Sequence, residues 1–365
     1  MSNDLFNADI FSSNIPTFIK SDLNISKLLE NLIAENYNQI SGDIICVEQF
    51  QGNEINSNNY KVTTSSGEYL IKKFIDIDEY SKLQRIVSLS NWLNENDIKL
   101  GKVYLSNKDE LIIKSKVGNS YWCVFDFISG SFFAGISDRE LVSVGSEIGI
   151  FFNKLKNIPI ELEPIEKIDY FKNNEDLMDE IERNKKNWAL YFGSDLSNTL
   201  IENWGFLQKT YSQLFKYKDT LLHSKLTPCH IDLHPHNLLI EEDELKAILD
   251  VDSIKLNHPL VAISFSMYKL LRQSIVNRNI KDNSNEISRI SNIYFNALIK
   301  EFPLTQKEIE NLYIYAATEI FRRIFIIFSL NIYENNNKWN HVLNMHLSGL
   351  KEAKIIFDSL NTNEK

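Results

Sequence analysis

A chain of 365 residues is too long for one small module and suits one large or two ordinary domains. Apolar residues make up 43% and charged residues 24%, which excludes intrinsic disorder, and twelve glycines with seven prolines argue against turn-dense all-β architectures and for long helices. The formal charge of −10 comes without any Lys/Arg-rich run, since the densest spots are pairs such as Lys72 with Lys73 and Arg322 with Arg323; nucleic acid and anionic membranes are disfavoured as partners, and an anionic ligand has to be met locally.

In chain order, Ile25, Leu28, Leu29, Leu32 and Ile33 recur at helical spacing and predict a first amphipathic helix. From Ile44 the pattern becomes that of strands: IICVEQF, NYKVTT and EYLIKKF are rich in β-branched or aromatic residues, and Ser65-Ser66-Gly67 joins the last two as a hairpin. Residues 79–95 predict a helix with Leu83, Ile86, Val87, Leu89, Trp92 and Leu93 apolar, ended by the polar cluster Asn94-Glu95-Asn96-Asp97. KVYL reads as a short extended link before two more strands, LIIKSK and YWCVFDFI, and Gly130 marks a hinge.

Beyond the hinge the chain is mostly helical: ELVSVGSEIGIFFNKL, a long polar-helical region from about 166 to 222, and two apolar-striped helices after 285. The exception lies between Thr227 and Ile254, where LLI and AILDV flank the acidic turn Glu241-Glu242-Asp243-Glu244 and predict a small hairpin. The expected division is a β-rich lobe over 1–128 and an α-rich lobe over 129–365, an interface at which ligands commonly bind. Cys46, Cys123 and Cys229 are odd in number and widely spaced, the N-terminus has no basic segment before an apolar stretch, and the apolar run 324–330 is too short to span a membrane. The expectation is a reduced, soluble, cytoplasmic protein.

The densest polar cluster is CHIDLHPHN at 229–237, followed by the hairpin and LDVD at 249–252. Phosphoryl transfer needs a carboxylate near the attacking hydroxyl and hard oxygen ligands for Mg²⁺. Asp232 supplies the first, Asn237 and Asp250 the second, and Asp252, expected two residues on along the same strand face, adds a further metal contact or orients the acceptor.

H-x-D-x-x-x-x-N followed by a hairpin and I/L-x-D resembles the catalytic and metal loops of the aminoglycoside phosphotransferase and choline kinase superfamily, and HIDLHPHNLLI is close to that family's H-G-D-L-H-P-x-N-L-L. QGNEINSNNYKVTTSSGEYLIKKF is similar to the N-lobe pattern of the homoserine kinase type II and N-acetylhexosamine kinase branches, and the resemblance covers roughly 42–270. It implies an α+β, bilobal protein-kinase-like fold with an antiparallel-sheet N-lobe and a mostly helical C-lobe, and an ATP- and Mg-dependent kinase acting on a hydroxyl of a small molecule. Carried over, Asp232 matches the catalytic base, His230 the residue bracing the catalytic loop, Asn237 and Asp250 the metal ligands, and Lys72 the lysine on the nucleotide's phosphates. Lys73 points to the opposite face, whereas Leu70 shares the face of Lys72 and lines the adenine pocket; Gly52 and Asn56 fall in the segment matching the phosphate-covering turn.

Two departures stand out. The region of the helix where the family has a glutamate for its lysine, RIVSLSNWL, carries Ser88 and no acid, with Glu79 lying earlier, and Ala262 stands where the family has an aspartate that braces the catalytic loop. They motivate one alternative, a nucleotide-binding pseudokinase without transfer activity. Another is a zinc or di-metal hydrolase on His230, Asp232, His234 and His236, against which Pro235 argues. Trp188, Tyr191 and Phe192 read as core or acceptor contacts. Glu319, Arg322 and Arg323 read as a buried structural ion pair on an apolar helix, with an arginine meeting an anionic substrate group as the alternative.

Overall fold

The computed structural model describes residues 5–6, 16–40, 42–51, 57–75, 80–115, 120–159, 162, 174–222 and 225–360. Its first part holds seven strands, Phe18–Lys20 (β1), Ile44–Phe50 (β2), Ser57–Thr64 (β3), Glu68–Ile75 (β4), Val103–Tyr104 (β5), Ile113–Lys114 (β6) and Ser120–Asp126 (β7), with the helices Leu23–Asn36 (α1) and Tyr80–Glu95 (α2). The strands form one antiparallel sheet in the order β1-β2-β3-β4-β7-β5, with β6 also on β7. The Asp22 carboxylate caps α1 by accepting the backbone N–H groups of Asn24 and Ile25.

The period-two pattern of β4 and β7 decides which helix each sheet face meets. Tyr69 and Ile71, with Trp122 and Val124 across the ladder, pack under Leu29 and Ile33 of α1. On the other face Cys123 and Val103 pack against Leu83 and Val87 of α2. The same helix sends Leu89 and Leu93 into the larger core that follows, so α2 ties the sheet to the helical part.

That part runs Ser131–Phe132 (β8), Asp138–Leu155 (α3), Asn174–Arg183 (α4), Trp188–Phe192 (α5), Ser194–Phe215 (α6), Lys218–Leu222 (α7), Thr227–His230 (β9), Leu238–Glu241 (β10), Glu244–Ile248 (β11), Ile254–Asn257 (β12), Pro259–Asn277 (α8), Ser284–Glu301 (α9), Gln306–Glu310 (α10), Leu312–Tyr333 (α11) and Asn340–Asp358 (α12). The architecture is α+β and bilobal, an antiparallel sheet followed by a mostly helical body. Gly130 has φ +152°, and a Cβ there would meet the Ile240 carbonyl at 3.0 Å. Only glycine therefore lets the chain turn out of the sheet and pair β8 with β10. Buried Glu140 then fixes the following link by accepting the N–H groups of Ala134, Gly135 and Ile136.

The structure corrects several expectations. KVYL contributes a strand, β5, whereas LIIKSK pairs only over Ile113–Lys114, because only those residues reach the ladder of β7. Beyond the predicted hairpin β10–β11, β9 pairs with β12 in a second small sheet. Asp250 and Asp252 do not alternate on a strand: β11 ends at Ile248, Asp250 has left-handed backbone (φ 57°, ψ 45°), and Val251–Ser253 forms a 3-10 turn. Among the described residues no helix is long and apolar enough to cross a membrane.

Candidate active site

The loop between β9 and β10 is built around a neutral histidine. His230 is fully buried; its Nδ1 accepts the backbone N–H of Asp232 at 3.3 Å, so the ring proton sits on Nε2 and donates to the Leu249 carbonyl at 3.1 Å. Burial holds this imidazole below its ordinary range, the bond to Leu249 opposing. His234 caps the 3-10 turn Pro235–Asn237 by accepting the N–H of His236, and the ring of His236 meets Phe132 edge-on at 4.9 Å, which fastens this loop to β8.

Asn237 locks this loop to the one after β11. Its Nδ2 donates to the Asp232 carbonyl at 2.8 Å, and its own carbonyl accepts the N–H of Leu249 at 2.8 Å. The amide nitrogen is thus spent on the loop, leaving Oδ1 as the side-chain atom of Asn237 available to a cation. On the second loop the Ser253 hydroxyl donates to Asp250 Oδ2 at 2.6 Å. Burial first, and the neighbouring Asp252 second, push the half-buried Asp250 carboxyl above the ordinary carboxylate range. Two carboxylates forced together beside one amide oxygen are a set of hard donors, and they suit Mg²⁺ chemically.

The sheet supplies a cation on the same side. Lys72 lies across from Cys123 on the face turned to α2, and its charge is felt at both Asp250 and Asp252. Half-buried Leu70 shares that face. Lys73 lies across from Trp122 on the opposite face, with Nζ 5.3 Å from the centre of that ring. Ser88 is exposed; the residues of α2 that border Val251 and Asp252 are Arg85, Ile86 and Leu89. Asp250 and Asp252 are thus two acids within electrostatic reach of Lys72. Gly52, Asn56 and Glu79 lie outside the described residues.

Sequence reasoning missed what meets Asp232. Arg323 Nη2 lies 2.9 Å from Asp232 Oδ1 and also donates to the Ile231 carbonyl at 3.3 Å. Its Nε bonds Glu319 at 2.9 Å, and its plane lies over Phe265 at 4.4 Å. Glu319 is 1% exposed and also takes a fork of two hydrogen bonds from Arg322. Burial raises the Asp232 carboxyl, but the charge and hydrogen bond of Arg323 outweigh it, with His234 and His230 adding to them, and leave the group at about 2. Because burial lowers His234 to about 4, that ring is neutral at pH 7, and Arg323 carries the effect there. The available signal was a Glu, Arg, Arg set at i, i+3 and i+4 in an otherwise apolar helix.

The hydrolase alternative loses its basis: His230 and His234 are committed to loop bonds, and no group of three or more His, Cys, Asp or Glu side chains forms a metal site among the described residues. Cys229 is buried, with its thiol pushed up to about 12 by burial, so it is no nucleophile. Trp188 and Phe192 are core, against Trp204 and Phe328 respectively, and Tyr191 is half-buried.

Residues 47–265, more than half of the chain, match the family model APH, the phosphotransferase enzyme family. The amicoumacin kinase hAmiN, solved with AMP-PNP, Ca²⁺ and Ami, is 13% identical and aligns over 92% of this chain and 94% of its own, with a TM-score of 0.60. Spectinomycin phosphotransferase APH(9)-Ia, solved with ADP and spectinomycin, is 14% identical over 91% of this chain and 98% of its own, with a TM-score of 0.57. Choline kinase from Cryptosporidium parvum Iowa II is 11% identical over 90% and 95%, with a TM-score of 0.50. At these identities the likeness shows a shared fold. No curated protein matched the chain. The match over residues 47–265, which include Lys72, Asp232, Asn237 and Asp250, shows that this chain belongs to the phosphotransferase enzyme family.

Proposed function

We propose that the protein transfers the γ-phosphate of ATP, with Mg²⁺, to a hydroxyl of a sugar, amino sugar, amino acid or amino alcohol. The observation that carries this reading is the bonded network joining Asp232, Asn237 and the Leu249–Asp250 segment, with Lys72 facing the metal loop. In this reading Lys72 contacts the α- and β-phosphates, Gly52 and Asn56 contact the nucleotide, and Leu70 lines the adenine site. Asn237 Oδ1, Asp250 and exposed Asp252 would hold Mg²⁺, which when bound neutralises phosphate charge. His230 braces the loop. Asp232 accepts the hydroxyl proton as the new oxygen–phosphorus bond forms and the bond from the γ-phosphorus to the bridging oxygen breaks to release ADP, and most of the rate comes from positioning. The lobes meet at 128–129, next to Gly130, so that nucleotide and acceptor enter between them.

The probe is ATP itself, with and without Mg²⁺. ATP is expected to raise the melting temperature of the wild type only when Mg²⁺ is present, with Asp250→Asn abolishing that dependence. ATP consumption is then expected with at least one acceptor among sugars, amino sugars, homoserine, choline, ethanolamine and aminoglycosides. Mg²⁺-dependent ATP binding without consumption across that panel would instead support a nucleotide-binding module.

A further inference from the structure

We propose that Arg323 is a positioning residue for Asp232: its guanidinium, braced by Glu319 and Phe265, clamps Oδ1 and the Ile231 carbonyl and so presents Oδ2 to the acceptor hydroxyl. The inference rests on the reading of Asp232 given under Proposed function and adds a residue 91 positions away.

The geometry is that of a braced clamp. One arginine joins three oxygens, those of Glu319, Ile231 and Asp232, at 2.9, 3.3 and 2.9 Å. A guanidinium is a rigid planar fork, so fixing Nε on Glu319 also fixes the direction in which Nη2 points. Glu319 is 1% exposed and tied to α11 through Arg322 as well, and Phe265 of α8 lies under the guanidinium plane. The brace therefore joins two helices of the larger core to the catalytic loop. Among the described residues Asp232 Oδ2 carries no hydrogen bond, while Oδ1 is taken and the backbone carbonyl accepts from Asn237. Ala262 has no side-chain group to hold the catalytic loop, and the bond from Arg323 to the Ile231 carbonyl supplies such a hold from α11.

The test measures MgATP consumption with the whole acceptor panel pooled, for the wild type and for Arg323→Ala, Arg323→Lys, Arg322→Ala and Asp232→Asn. Loss of the clamp is expected to lower the apparent kcat of Arg323→Ala by roughly 10²-fold while the KM for ATP stays unchanged, the size that misplacing a reacting group produces. Millimolar guanidinium ion should restore part of the activity of Arg323→Ala and none of that of Asp232→Asn. Arg323→Lys, which keeps the charge but not the fork, should fall between the wild type and Arg323→Ala, and it carries the test if the alanine variant does not fold. A wild-type kcat in Arg323→Ala beside an inactive Asp232→Asn would overturn the clamp and leave the kinase reading standing. An equal loss in Arg322→Ala, which shares Glu319, would assign the effect to helix packing and overturn it too. An active Asp232→Asn, or a wild type that consumes no ATP, would overturn the underlying reading and the clamp with it.

Discussion

Asp232 at about 2 is a weak base, and in the proposed function that suits a reaction in which the acceptor proton moves late and orientation supplies most of the rate. The buried histidines set a different pH limit. His230, His258 and His346 are all held below the ordinary imidazole range by burial, His258 at about 4. Unfolded, each would titrate near ~6.5. Below that pH the unfolded chain binds protons that the folded chain refuses, so stability is full above about 6.5 and falls as the pH drops toward 4, by up to about 1.4 kcal/mol per pH unit for each such ring. Urea unfolding is expected to give a clearly lower stability at pH 5 than at pH 7; equal or greater stability at pH 5 would contradict this assignment of neutral rings. At this scale the sequence was informative where residues lie close along the chain. Asp232, Asn237 and Asp250 bracket one hairpin and announce themselves together, whereas Arg323 reaches Asp232 from a distant helix. Charges in an apolar helix show only that partners are needed, not which loop provides them.

At the scale of elements, the β10–β11 hairpin sets the separation of Asn237, just before it, from Asp250, just after it. Its two turn residues, Glu242 and Asp243, have φ of 51° and 65°, and Glu241 pairs with Glu244 across them. That is a two-residue turn of the type that favours Asn-Gly, built here from two acids. Asp243→Gly should stabilise the protein by about 0.5 kcal/mol, relief of the left-handed backbone outweighing the added chain entropy. Chemical unfolding reads this, and a loss of stability would contradict the turn assignment. The hairpin was legible because short apolar runs flank an acidic turn. The β9–β12 sheet was not, since its strands of four residues each are separated by the whole site and carry no period of their own. The supposed strand face shared by Asp250 and Asp252 failed for a related reason: a left-handed residue breaks the alternation that a sequence reading assumes.

For the whole molecule, the order of sheet and helical body was legible from changes in hydrophobic period, and the paucity of Gly and Pro foretold the long helices. What joins the two parts was not. α2 faces the sheet with Leu83 and Val87 and the larger core with Leu89 and Leu93, a double amphipathicity that looks in sequence like one broad apolar stripe. This helix borders Val251 and Asp252, so that loop rests against an element shared by both cores. Against the net charge of −10, Lys72 toward Asp250 and Arg323 at Asp232 are local exceptions. Phosphorus NMR of MgATP incubated with the acceptor panel tests phosphoryl transfer directed by Asp232. A new phosphate-ester resonance growing with ADP is expected for the wild type and none for a folded Asp232→Asn. An ester formed equally fast by that variant, or no ester from the wild type, would contradict it.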